Sequence, residues 1–444
     1  MFPTSSHPIL YLTIAGREDT GRLFTKFEWK SMVNGGYIIR AKLQDSDWLM
    51  LQGIATEFYL QKGRKEPTEV IFELEHPGIV GPNAKTGKYK AYMTDLDARG
   101  INKSGSLEFV AVDPPSFWLN GGASSGKVYT GNVQSVIEQV LEEWFILPNP
   151  GGGGRDVSKT TDFEQNKWWM MRQDPKTFIR SLLDWSAKIT EKETNWLVSS
   201  DGALERGKPT IHVKEQAAKE PVFIGIFAMN TRTPGANDIY NFEFLADTFI
   251  SCFQKQMITQ GISAVSERYF DRIMDESRKI VHVHDDNTSN KWNVNISQDQ
   301  GFAKPTDIPG AVEKPHEWST SLWMVPQHNA QDIGKRYDEY IDGRARGQFL
   351  DMLSLVMRIK IRCTGIAVRE LNNSHNLGVS WLTIKWMQPS PKLEPYFLSG
   401  DWMVYGFHHI VTIGHWYTDI YAERIDYDSS VKKIPGSNPN SGRG

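Results

Sequence analysis

Strict two-residue alternation of apolar and polar side chains constrains this chain more than any other feature. In FEWKSMVNGGYIIRAKL the alternation runs on both sides of Asn34-Gly35. Tyr37, Ile39, Ala41 and Leu43 fall on one face, Arg40 and Lys42 on the other. A period of two marks a strand with one buried face, and Asn-Gly supplies the positive φ that a two-residue hairpin needs. The pattern returns far downstream in VMRIKIRC, where Met357, Ile359, Ile361 and Cys363 face one way and Arg358, Lys360 and Arg362 the other. A sheet with one apolar face must cover it, so the chain has to pack sheets face to face or close them into barrels.

Reading outward from these blocks gives a domain order. TEFYLQ and TEVIFELE, joined by the polar KGRKEP, form a second expected hairpin in which Val70, Phe72 and Leu74 share a face. GSLEFVAVDPP closes this β unit, because Pro114-Pro115 cannot continue a ladder. Residues 1–115 are thus expected to be one β unit. In NVQSVIEQVLEEWF the apolar positions Val133, Val136, Ile137, Val140, Leu141 and Trp144 lie on one helical stripe, with Asn132 as N-cap. DPKTFIRSLLDWSAKI opens a second helix with Asp174 as N-cap and Pro175 at the first helical position. The connector PNPGGGGRD reads as flexible, and NWLVSSDGALERGKPTIHV as a hairpin, which makes 116–225 an α+β domain. Alternation resumes at NDIYNFEF, with Tyr240, Phe242 and Phe244, and again in the strand-like GVSWLTIKW, DWMVYGFHHIVTIG and HWYTDIYAERIDYD. A second β unit over 226–275 and 346–428 follows, interrupted by a polar insertion at 276–345 that can associate with the α+β domain. The composition of 429–444 is that of a disordered tail. The fold class is α+β, mainly β.

Composition narrows the function. With 50 basic and 53 acidic residues the net charge is −3, without the basic excess of a general nucleic-acid binder. Cys252 and Cys363 are far apart and lack metal-ligand spacing, which suits a reducing compartment and gives no disulfide framework. No leader pattern opens the chain, and no window reaches the ~18 apolar residues of a membrane span. The 15 Trp, 15 Tyr and 21 Phe fit sheets and protein interfaces, and would equally serve carbohydrate binding.

No motif supports chemistry. NGGASSGKVYTG at 120–131 imitates a phosphate loop, but Val128 stands where a Mg²⁺-ligating hydroxyl is required and four residues separate Lys127 from the helix. The stretch reads as a flexible joint with Lys127 in solvent. His282 and His284 in VHVHDD could share a strand face toward a metal, yet no further ligand completes a site. His408 and His409 are adjacent and must point to opposite faces of a strand, one packed and one exposed. No catalytic group, cofactor or metal is expected. The basic face of MRIKIRC is solvated, or else meets the acids of a neighbouring subunit, or, as a third reading, contacts nucleic acid directly.

Three stretches together resemble the baseplate hub protein of contractile-tailed phages, whose fold recurs in the N-terminal part of the type VI secretion spike. One is GSLEFVAVDPPSFW running into KVYTGNVQSVIEQVLEEW. The second is DPKTFIRSLLDWSAKI with NWLVSSDGALE. The third is SGDWMVYGFHHIVTIGHWYTDIYAERID. In the last, Gly400, Trp402, Val404, Gly406 and His409 match one strand motif of the family, and Trp416, Thr418 and Arg424 match its partner strand. The resemblance implies two similar tube-type β-barrels flanking an α+β domain, in a homotrimer that joins a sixfold tail tube to a threefold spike. It also implies tube or tube-initiator proteins, a trimeric spike and a tape-measure protein as partners, with DNA passing unheld through the lumen. The location implied is the virion tail baseplate, assembled in the host cytoplasm, with no membrane anchor and with the spike on a separate chain. Tyr240, Phe242, Phe244, Arg358, Lys360 and Arg362 are the expected inter-subunit or tube interface. A carbohydrate-binding or depolymerising tail protein is the alternative.

Overall fold

The computed structural model describes most of residues 8–245, the segments 263–271, 276–283, 316–318, 322–324, 357–365 and 381–387, Leu377, and residues 400–424. The first β unit contains β1 (Ile9–Ile14), β2 (Phe24–Met32), β3 (Gly36–Asp45), helix α1 (Leu49–Tyr59), β4 (Glu69–Glu75), β5 (Tyr89–Ile101) and β6 (Ser104–Val112). Tyr37, Ile39, Ala41 and Leu43 are all buried, as the alternation demands. The hairpin is one residue longer than Asn-Gly alone would make it, since Met32 pairs with Gly36 across three residues. Its left-handed positions are Asn34 and Gly36, at φ +57° and +70°. Gly36 is required because a Cβ there would collide with the Asp113 carboxylate and the Ser116 hydroxyl.

One expectation fails in this unit: TEFYLQ, as far as Leu60, is not a strand but the last turn of α1 and its exit. The longer window explains the difference. Leu51, Ile54, Ala55 and Phe58 recur at helical spacing, and the first three are fully or nearly buried against the core.

Asp113 then ends β6 and starts α2 (Pro114–Leu119), accepting hydrogen bonds from the Ser116 N–H at 2.9 Å and the Tyr37 N–H at 2.8 Å. The supposed flexible joint also changes character. Residues 125–131 form strand β7 (Ser125–Gly131), and Tyr129 on it is buried. Lys127 is half-exposed, as expected, and forms an ion pair with Glu143. Helix α3 (Val133–Leu141) follows, with Asn132 accepting from the Ser135 N–H, and winds into a single π-turn at Glu142–Ile146 that drives Phe145 into the core. The glycine connector is ordered where it meets that ring. A side chain at Gly153 would strike Phe145, and Gly154 opens β8 (Gly154–Val157). β9 (Asn166–Met171) pairs with β7. Next come α4 (Pro175–Ser186), capped by Asp174 through the Thr177 N–H, and the expected hairpin of β10 (Trp196–Asp201) and β11 (Thr210–Glu215). Leu119 to Val213 thereby make a separate apolar core between α3, α4 and these short sheets.

The later strands are β12 (Pro221–Ala228), β13 (Ile239–Phe244), β14 (Ser263–Asp271), β15 (Glu276–Val283), β16 (His316–Trp318), β17 (Leu322–Met324), β18 (Met357–Thr364), β19 (Trp381–Met387), β20 (Gly400–Thr412) and β21 (His415–Arg424). Twelve strands join in one sheet along the path β1-β4-β5-β6-β3-β2-β20-β21-β18-β13, with β19 on β20 and β12 on β19. Among the described residues this is one continuous, largely antiparallel sheet, not two separately closed barrels. β14 pairs with β15, β16 and β17 in a sheet of its own. By hydrogen bonding, Ser263–Asp271 therefore goes with the polar insertion, and Pro221–Ala228 goes with the large sheet.

Candidate assembly surfaces

The two β units meet at the β2–β20 ladder, where seven residue pairs from Lys26↔Thr412 to Met32↔Gly406 are in register. The apolar faces of both units then form one buried cluster, running from Leu10 through Trp29 and Phe407 to Ala422. At its centre Trp29 pairs with His409, and their ring centroids lie 5.2 Å apart. His409 Nδ1 lies 2.9 Å from Thr418 Oγ1 and accepts the Trp416 indole N–H at 3.2 Å. Burial lowers its pKa from 6.5 to about 3, so the imidazole is neutral and serves as an acceptor. His408 points the other way and is only partly buried, as expected for adjacent histidines on a strand. Gly406 admits the neighbouring strand. A Cβ there would press on Met32 Sδ and come 2.9 Å from the Ser31 carbonyl oxygen. Of the matched motif residues, Gly406 and His409 stand in this ladder, Trp416 and Thr418 contact His409, and Trp402 and Val404 lie in the same buried cluster. The sequence displayed them without indicating Trp29, their partner from the first unit.

The α+β segment is tied to the first β unit by main-chain bonds. Lys90 N–H donates to the Gly202 carbonyl at 3.0 Å, and Leu204 N–H donates to the Lys88 carbonyl at 2.7 Å. Val198 N–H donates to Asn34 Oδ1 at 2.9 Å. Gly202 sits against the Tyr37 hydroxyl, where no side chain fits.

The opposite, polar face of the sheet carries the expected interface cations. Arg358, Lys360 and Arg362 project from β18 and stand in register with Glu423, Tyr421 and Asp419 of β21. Arg362 grips Asp419 with two bonds, of 2.6 and 2.7 Å. Arg358 Nε lies 3.6 Å from Glu423, and Lys360 bonds Glu243 on β13. Asp419 and Glu423 are buried beneath these long side chains. Tyrosine rings complete the lattice: Arg358 lies 5.1 Å from the Tyr405 centroid, Arg362 5.7 Å from Tyr417 and Lys30 5.5 Å from Tyr421. Each of the three cations therefore has an acid from its own chain. Tyr240, Phe242 and Phe244 all lie on β13, the last strand of the path. Phe242 packs against the main core, and Tyr240 falls at a register shift between Ile239 and Asn241.

Among the described residues no cluster of three or more His, Cys, Asp or Glu could hold a metal. His282 lies on β15, while His284 and Cys252 are outside the described residues. Cys363 is buried, and burial raises its thiol pKa well above the usual range, which makes it a packed apolar group. No described helix is long and apolar enough to cross a membrane.

No protein-family profile matches the sequence, and none of the curated protein sequences is detectably similar. Solved structures are. A tail protein from Neisseria meningitidis MC58 aligns over 94% of this chain and 97% of its own, with a TM-score of 0.53 and 9% identity. The 43 kDa tail protein of prophage MuSo2 from Shewanella oneidensis aligns over 94% and 99%, again at 0.53 and 9%. Likeness along nearly the whole of both chains, with so little identity, is a likeness of fold. This chain has the fold of these tail proteins.

Proposed function

We propose that the chain is the central hub of a phage tail baseplate, a homotrimer that joins a sixfold tail tube to a threefold spike. The observation that carries this reading is the β2–β20 ladder. It sets two β units side by side in one sheet, and three such chains in a closed ring would present six similar positions from one repeated contact. On this reading the two halves of the sheet are the two tube-type units. The outer strands β1 and β13 are where neighbouring subunits meet, so Tyr240, Phe242 and Phe244 lie at that boundary. Tyr11 and Ile9 on β1 are exposed apolar groups of the kind an obligate contact covers. The partners are tail-tube or tube-initiator proteins on one side and a trimeric spike chain on the other. Tape-measure protein and DNA pass along the axis, and the mature location is the virion tail. The fold likeness to tail proteins supports a structural role over an enzymatic one.

Top-view class averages of the purified chain test the arrangement. The reading expects threefold rings with six similar lobes. Isolated two-lobed particles, or rings of any other order, would overturn it.

A further inference from the structure

We infer that the single 3₁₀ turn Thr20–Leu23 is an autoinhibitory guard, which keeps the edge strand β1 from pairing with β1 of a second copy of this chain. The hazard lies in the strand itself. ILYLTI is β-prone, carries no charge, proline or glycine, and stands at the end of the large sheet's path. Segments of about six residues with this composition stack into intermolecular sheets when their edge is open. Along an antiparallel strand, the main-chain groups of every second residue point away from the partner strand. On β1 these belong to Leu10, Leu12 and Ile14, because Ile14 turns away from β4 to exchange two hydrogen bonds with Arg17, of 3.1 and 2.9 Å. The guard covers the rest. Thr20 Oγ1 donates to the Leu12 carbonyl at 2.6 Å. Gly21 lies against the next carbonyl, where a Cβ would collide with the Leu10 oxygen and come 3.2 Å from the Leu12 nitrogen. Thr20 and Gly21 are both buried in this position. The segment is seated from two sides, by Leu23 against the main core and by Arg17 across Gly53 of α1. Ile9 and Tyr11 stay exposed, so a neighbour can reach β1 through side chains while its main chain is closed. The inference stands without the hub reading.

The test uses the full-length chain and two guard variants. Thr20→Val keeps the side-chain shape and loses the bond to Leu12, and Gly21→Ala forces the turn off Leu10. Losing one hydrogen bond predicts a rise of up to about tenfold in the guard-open population, read as faster hydrogen exchange at the Ile14 amide. Both variants should form thioflavin-T-positive assemblies at concentrations where the unaltered protein forms none. Adding Ile9→Lys, opposite Glu75 in the register, should abolish these assemblies, since a lysine on an edge strand blocks pairing. Gly406→Ala strains the β2–β20 ladder instead of the β1 edge and should form none. The inference is overturned if the two guard variants assemble no more than the unaltered protein. It is equally overturned if Gly406→Ala assembles as readily, or if Ile9→Lys leaves assembly unchanged. Rings are read separately, by mass and without thioflavin T, so the hub reading can fail while the guard stands.

Discussion

His409 is held neutral at the junction of β2, β20 and β21, between the Trp29, Phe407 and Trp416 rings. Its folded-state pKa of about 3 lies below the ordinary 6.5, which fixes the sign of its linkage to pH. Above pH 6.5 the ring is neutral folded or unfolded, and pH exerts no effect through it. As pH falls below 6.5 the unfolded chain takes up a proton that the folded chain refuses. Stability then drops by up to about 1.4 kcal/mol per pH unit through this one group. Denaturant titrations at about pH 7 and pH 5 should show His409→Gln losing much of this acid sensitivity. His408, also shifted down by burial, is present in both proteins and cancels. Equal acid slopes in the two proteins would refute the buried neutral imidazole. Gly406→Ala should cost about 1–3 kcal/mol, because the added methyl meets the Ser31 carbonyl and Met32 across the ladder. A melting temperature unchanged by that substitution would show that β2 can give way.

Among the elements, legibility in the sequence followed the range of the interactions. The helices α3 and α4 were readable because stripe, cap and stop all lie within one turn of their own residues, at Asn132 and Asp174. The buried faces of β3 and β18 were readable because alternation is local. The α1 helix was missed where a six-residue window, TEFYLQ, was too short to separate the two periods. The β7 strand was missed because its glycines suggest a joint, while its stabilisation comes from β9, paired some forty residues downstream. Of the candidate surfaces, the cations of β18 were visible as a row. Their acids were not, since Asp419 and Glu243 come from distant strands. Asp113 gives an element-scale prediction. It caps α2 and also receives the Tyr37 N–H, so Asp113→Ala should cost about 2–4 kcal/mol, more than a cap alone. Chemical denaturation reads this directly. A loss no greater than an ordinary cap would mean that the Tyr37 bond contributes nothing.

At the scale of the whole molecule, what matters is that two β units separated in sequence by the α+β segment share one sheet and one apolar core. That fusion fixes the angle between the units before any partner arrives, so a ring needs only one further kind of contact. Obligate contacts of this kind bury on the order of 2,000 Å² or more, and are held by apolar area, which salt does not screen. Mass photometry of the purified chain at sub-micromolar concentration, in low and high salt, tests the hub account most directly. The account predicts a single species at three times the 50.5 kDa chain mass, unchanged by salt. A species at the mass of one chain under both conditions would contradict it.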